Sequence, residues 1–313
     1  MTNRVVIGVD ISKETLDACK LPGNQQIQVS NNYKGYQKLL RWIEKAPEVL
    51  FVFEATGAYH RQFEMALGTS STPFVKVNPK QARRFAQAVG KLAKTDKVDA
   101  SMLARMGVAL DLTARDPQPK ILYLFKDLIA ARRGLIKDQT AAKARLDTAQ
   151  VPLIKRQLER RLKQIQSDIE QIDKEIIAHV TDDPAMARQV DILSSIPGIG
   201  VLTSITVLTD MPELGTLDNK QAASLAGLAP MSQSSGKWQG KERIQGGRAI
   251  LRRAIYMPAL VATRVNPDMR EKYQQLLTAG KVKKVALTAI MRKLIILANI
   301  LLKADRKWVQ HRA

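Results

Sequence analysis

Two aspartates three residues apart, Asp96 and Asp99, sit in the stretch Lys94-Thr95-Asp96-Lys97-Val98-Asp99-Ala100, whose pattern predicts a helix running through Met106. Residues three apart on a helix share one face. Carboxylates that close repel each other unless a cation or a proton sits between them. Lys94 and Lys97 flank the pair, which suits a place where an anion meets a metal. Taken alone, the pattern is that of a solvated helix face. Its weight comes from upstream. Asp10 ends the apolar run Val5-Val6-Ile7-Gly8-Val9, and Glu54 ends the run Val49-Leu50-Phe51-Val52-Phe53. Two strand-like runs each deliver a carboxylate at their C-terminal end, and a helix supplies two more. Such a set can hold a divalent cation over a phosphodiester.

A second candidate lies far downstream, in the polar stretch Met231-Ser232-Gln233-Ser234-Ser235-Gly236-Lys237-Trp238-Gln239-Gly240. Serine-rich stretches are usually plain loops. A serine beside a glycine, ahead of Lys241, Arg243, Arg248, Arg252 and Arg253, has a second reading as a nucleophile presented to phosphate. Between them, Ile196-Pro197-Gly198-Ile199-Gly200 resembles a helix–hairpin–helix turn. Backbone amides at such a helix start can bind phosphate, although a plain interhelical turn has the same appearance.

The elements that must position these residues can be read in outline. Residues 4–9, 15–21 and 26–30 predict three short strands joined by turns, in the manner of an antiparallel meander. Residues 35–45 have helical periodicity, and 49–53 form a strand apolar on both faces. A helix over 59–67, a strand over 74–77 and a helix over 79–89 follow. This gives a mixed α/β sheet whose element order resembles the ribonuclease H-like (RuvC-like) fold. Residues 122–180 predict helix with breaks near Gly134 and Pro152. Within them Leu158, Leu162, Ile165, Ile169, Ile172 and Ile176 make an a/d seam with a basic first half. The seam predicts a helical arm that pairs with another subunit; packing on the chain's own core is the alternative. The remainder is mainly α.

Composition narrows the partners. Lys and Arg number 50 against 29 Asp and Glu, leaving a net charge of +21. So large an excess points to a polyanion, and nucleic acid is the common one. The most apolar stretch, 285–302, carries Arg292 and Lys293 at its centre and reads as a buried helix rather than a membrane span. The chain enters a strand within a few residues, which reads against a signal peptide. Cys19 is the single cysteine, so no internal disulfide forms, as in a reducing cytoplasm. One cysteine and three scattered histidines, His60, His179 and His311, leave any metal to oxygen ligands.

The chain resembles, over nearly its whole length, the DEDD transposases of insertion sequences and the Piv-type DNA invertases. The residues that carry the resemblance are Gly8-Val9-Asp10, Glu54-Ala55-Thr56-Gly57 and the segment 94–100, with Ile196-Pro197-Gly198-Ile199-Gly200, Ala226-Gly227-Leu228-Ala229-Pro230, Ser235-Gly236 and Tyr256-Met257-Pro258-Ala259 in the second half. The resemblance implies an acidic tetrad of Asp10, Glu54, Asp96 and Asp99 as metal ligands, with Mg2+ as the hard cation for oxygen donors. It implies Ser235 as recombinase nucleophile. It also implies a bridge RNA that pairs with target and donor DNA, which leaves the protein many backbone contacts suited to its abundant Lys and Arg, including Lys76, Lys80, Arg83 and Arg84, and a dimer or tetramer in the nucleoid-associated cytoplasm, with no membrane partner. The implied organisation is a RuvC-like domain over 1–150, a coiled-coil arm over 151–187 and a C-terminal transposase domain over 188–313. Two rival readings stay open on the residues: a junction-resolving nuclease whose carboxylates activate water, and a nucleic-acid-binding protein without catalysis.

Overall fold

The computed structural model describes residues 4–43, 48–55, 57, 59–90, 96–114, 119–232, 234–235, 238–240 and 242–310, without the side chains of residues 96–98, 120, 234, 235, 238 and 239. The chain forms two compact units, Met1–Lys120 and Ile121–Ala313.

The first unit is a mixed sheet between two helical layers. Strands β1 (Val5–Ile11), β2 (Thr15–Leu21) and β3 (Gln25–Ser30) form the expected antiparallel meander, and helix α1 (Tyr33–Ile43) follows. Strand β4 (Val49–Glu54), helix α2 (His60–Thr69), strand β5 (Phe74–Val77), helix α3 (Pro79–Ala88) and helix α4 (Asp96–Ala109) complete it. Strand order is β3-β2-β1-β4-β5, with β4 parallel to both β1 and β5. The sheet needs two apolar faces, and strand alternation supplies them. Ile7, Val9, Phe51 and Phe53 pack with Tyr36, Leu39, Phe63 and Leu67 of α1 and α2. Val6, Leu50, Val52 and Val75 pack with Ala82, Leu103 and Met106 of α3 and α4 on the other side.

The second unit is mainly helical. Helices α5 (Lys120–Thr148) and α6 (Pro152–Thr181) lead into α7 (Pro184–Ser194), α8 (Val201–Asp210) and α9 (Asn219–Leu225). Four two-residue strands come next: β6 (Pro230–Met231), β7 (Ser234–Ser235), β8 (Trp238–Gln239) and β9 (Arg243–Ile244). Helices α10 (Ala249–Ala254), α11 (Tyr256–Val265), α12 (Pro267–Thr278) and α13 (Lys283–Lys303) finish the unit.

Helix α13 is, among the described residues, the one helix long and apolar enough to cross a membrane. Its Leu287, Ile290, Leu294, Ile295 and Leu301 are instead the middle of the unit's core, as expected of a buried helix. Asn299, itself buried, ties the turn before α9 to this helix. Its side chain accepts from the Gly215 amide at 2.8 Å and donates to the Leu217 carbonyl at 2.8 Å.

One expectation needs correction. Helix α5 runs unbroken through Gly134, since a single glycine costs a helix only about 1 kcal/mol and the rest of the span is made of good helix formers. Its early residues Phe125 and Ile129 belong to the second unit's core, and the compact division falls at residue 120. The a/d seam of α6 is turned, in part, onto the same chain. Ile165, Ile169 and Ile176 are buried, and Arg132 of α5 grips Asp173 with Nε at 2.5 Å and Nη2 at 3.1 Å. Gln139 adds a bond to Gln166 at 3.0 Å. The start of α6 differs: Leu153 and Ile154 are exposed.

Candidate functional site

The carboxylates of the first unit are assembled by alternation and by one close approach. Val9 stands beside Phe53 in the parallel β1–β4 ladder, so Asp10 and Glu54 are the next residues of two neighbouring strands at the same end. Val9 and Phe53 face α1 and α2, so Asp10 and Glu54 face the α4 side. Helix α4 lies directly on that face. A methyl group on Gly8 would overlap the Ala100 carbonyl and the Ala104 amide, and one on Gly107 would come within 2.7 Å of Val6 and 2.8 Å of Val52. Gly8 is near the carboxylate end of β1 and Val6 is farther back, so α4 runs antiparallel to β1. Its first turn therefore reaches the end of the sheet that carries Asp10 and Glu54.

Ala100, Leu103, Ala104 and Gly107 form the stripe against the sheet. Positions 96 and 99 continue that stripe by one turn toward the helix start. The structure thus brings Asp10, Glu54 and Asp99 to one end of the sheet with the backbone of Asp96. Lys94 and Thr95, the start of the predicted motif, lie outside the described residues. Asp10, Glu54 and Asp99 are part-exposed, and each takes part in a polar or electrostatic interaction.

The donors are all carboxylate oxygens, which suits a hard divalent cation. Among the described residues no three His, Cys, Asp or Glu form a cluster able to hold an ion. Asp96, whose side chain is outside that set, would have to complete it. The donor chemistry thus suits a metal, while the described carboxylates alone do not make up a complete ligand set.

A fifth carboxylate was missed by the pattern. Asp17 of β2 stands directly opposite Asp10. Opposed residues of an antiparallel pair have Cβ atoms about 4.5–5.5 Å apart, and like charges there repel. Asp17 is 5% exposed, and Gln28 Nε2 donates to both its oxygens at 3.1 Å. With Ala100 and Gln26 it lines a cavity of about 180 Å3. The available signal was the alternation of Leu16 and Ala18 with Asp17 and Cys19, which puts an acid where β2 should be buried.

The serine stretch is a built hairpin and not an open loop. Pro230 pairs with Ile244 and Met231 with Arg243; beyond them Ser234 pairs with Gln239 and Ser235 with Trp238. Ser235 is thus the last paired residue before residues 236 and 237, which lie outside the described residues. The hairpin's neck is clamped. Gly227 and Gly247 both have left-handed backbones, φ +68° and +61°, and pack back to back with no room for a Cβ on either. The Arg248 amide donates to the Leu225 carbonyl at 2.8 Å.

Two of the basic residues predicted to meet phosphate are spent on this clamp. Arg252 Nη1 donates to the carbonyls of Gly227 at 3.1 Å and Gly246 at 2.9 Å. Arg248 is bidentate to Glu213 at 2.7 and 2.6 Å and also donates to the Asp210 carbonyl. Beside them, burial raises the Asp210 carboxyl above the ordinary range, against the pull of Arg133, Lys126 and Arg248.

Other expected contacts resolve differently. Lys76 is ion-paired with buried Glu64 at 2.7 Å, so it is a structural residue and not a free phosphate contact. Lys80, Arg83 and Arg84 remain exposed or part-exposed on α3. The turn at 195–200 does join two helices, α7 and α8. Gly198, with φ +105°, is required there because a Cβ would meet Ala262 and the Pro258 carbonyl at 2.9 Å. Packing on α11 thus accounts for the glycine.

Two family models match the chain, the first of them running past Lys120 into helix α5. Residues 7–150 match a DEDD family model described as a transposase of IS110, and residues 190–274 match one described as the transposase IS116/IS110/IS902 family. The pilin gene-inverting protein of Moraxella lacunata is 30% identical over 97% of this chain and 97% of its own length; that of Moraxella bovis is 29% identical with the same coverage. An uncharacterized 42 kDa protein of insertion element IS900 from Mycobacterium paratuberculosis is 35% identical over 34% of this chain and 27% of its own.

Proposed function

This chain belongs to the IS110/IS116/IS902 transposase family, whose activity is DNA recombination, and we propose that it cuts and rejoins DNA through a serine ester. The observation that carries the reading is the convergence of Asp10, Glu54 and Asp99, with position 96, at one end of the sheet. Asp10, Glu54, Asp96 and Asp99 would hold Mg2+, which when bound neutralises charge developing on a phosphodiester. Ser235 is the nucleophile in this reading. Its oxygen bonds to phosphorus as the bond to the leaving nucleotide oxygen breaks, one phosphoester replaces another, and rejoining needs no ATP.

The hairpin supports this role because catalytic groups need a rigid mount. Gly227, Gly247, Arg252 and Arg248 fasten its base at both ends. The fold we assign to the first unit is RNase H-like, on its strand order and carboxylate ends. A bridge RNA would choose sequence by pairing with target and donor, leaving the protein mainly backbone contacts, for which a charge of +21 is suited. Homo-oligomers would use the exposed start of α6, where Leu153 and Ile154 sit among Lys155, Arg156, Arg160 and Arg161.

Ser235→Ala and Asp10→Asn test the reading together, with the protein expressed beside its native flanking DNA and assayed with Mg2+. Loss of strand cleavage in both, with nucleic-acid binding kept, is expected. Cleavage that survives Ser235→Ala but not Asp10→Asn would assign the chain to hydrolytic nucleases of the junction-resolving kind.

A further inference from the structure

A groove of about 810 Å3 runs between the base of the serine hairpin and helix α13, with Leu228, Pro230 and Arg243 on one side and Lys281, Ala289 and Arg292 on the other. On α13 the lining residues Val285, Thr288, Ala289 and Arg292 are spaced as one helical stripe, beside the stripe that enters the core. Arg292 is the oddity in it. It is part-buried in the middle of a helix that contains no acidic residue. Among the described residues, the side chains of Arg292, Lys281 and Arg243 have no hydrogen bond or ion pair. Glu242 lines the groove but lies outside ion-pairing reach of all three. A cation held partly out of water without a counter-charge is costly unless an anion arrives to meet it.

We propose that this groove seats the phosphodiester backbone of the DNA strand that is cut, with Arg292, Lys281 and Arg243 as its phosphate contacts. The proposal rests on the serine reading above for its choice of DNA over RNA, because β6 and β9 form both the groove wall and the base of the hairpin that carries Ser235. The strand beside a nucleophile is the substrate. The apolar patches offered by Leu228, Leu276 and Ala289 suit sugar faces between phosphates. Three cations spaced along one groove suit successive phosphates of a backbone, the contacts that position a strand.

The test uses full-length protein and two probes, a duplex from the native flanking DNA and an RNA transcribed from the same region. Binding is measured by fluorescence anisotropy over a range of salt for wild type, Arg292→Gln, Lys281→Gln and the double variant. Each lost phosphate contact should flatten the slope of log K against log salt by about 0.9 on the duplex, equivalent to about eightfold weaker binding at ~0.1 M salt. The double variant should lose about twice the slope. Melting temperatures without nucleic acid should hold or rise, since a charge without a partner is removed. Slopes that match wild type in every variant would overturn the proposal, as would flattening confined to the RNA probe. A separate scan for DNA linked to Ser235 keeps the two readings apart: flattened slopes without any adduct would sink the serine chemistry and leave the groove standing. An adduct with unmoved slopes would do the reverse.

Discussion

Asp99→Asn keeps shape and removes a charge, so it isolates what the carboxylate does. We expect strand cleavage to fall on the order of 10²–10³-fold, the scale of losing one contact that opposes transition-state charge, while gel-shift binding of DNA and RNA is kept. Asp210 gives a different reading, on stability. Burial raises its carboxyl above the ordinary range, so the folded chain holds that proton at pH values where the unfolded chain has released it. Stability then falls as pH rises from the ordinary carboxylate value through the raised one. Asp210→Asn should remove that part of the slope, so that denaturant midpoints of variant and wild type separate in the variant's favour as pH climbs through this window. Lys76→Met leaves the buried carboxylate of Glu64 without its cation, and equilibrium unfolding should show a loss of about 3 kcal/mol. Residues of this kind differ in how far a sequence exposes them. Asp10 and Glu54 were legible because each ends an apolar run. Asp17 and Lys76 were not, because their meaning lies with Gln28 on the next strand and Glu64 on a helix, neither adjacent in the chain.

Elements enter through the close approaches that fix them. Gly8 lets α4 rest on β1, and that contact sets where the helix start meets the strand ends. Gly8→Ala should push the helix outward and cost about 1–3 kcal/mol, the usual range for overpacking. Cleavage should fall much further than thermal unfolding alone explains at a temperature where the variant is still folded. Retained cleavage would mean the α4 carboxylates need no such placement. The strands and helices of the first unit were readable from period and turn residues almost to their ends, because its strands are four to seven residues long. The serine hairpin was not. Two-residue strands are too short to show alternation, and the clamp that makes them a hairpin is formed by backbones of Gly227 and Gly247, twenty positions apart. The α6 seam was seen as a seam, but an apolar stripe names no partner. Within the chain, part of the seam is buried and Arg132 of α5 pairs with Asp173, a contact that no periodicity announces.

For the whole molecule, charge is the largest single property. A surplus of +21 should make nucleic-acid binding strongly salt-dependent, with log K falling linearly in log salt. Each unit has its own core, one built on the sheet and one on α13, and each contributes one part of the proposed chemistry: carboxylates from the first, a serine from the second. In the proposed reaction, cleavage through Ser235 depends on the carboxylates. This dependence is tested most directly by incubating the protein, expressed with its native flanking DNA so that any guide RNA is present, with Mg2+ and matching DNA. The mixture is then denatured, and protein that carries nucleotide is mapped by mass spectrometry. An adduct on Ser235 that is absent from both Ser235→Ala and Asp10→Asn is expected. Cleaved DNA with free ends and no protein attached would contradict the proposed reaction.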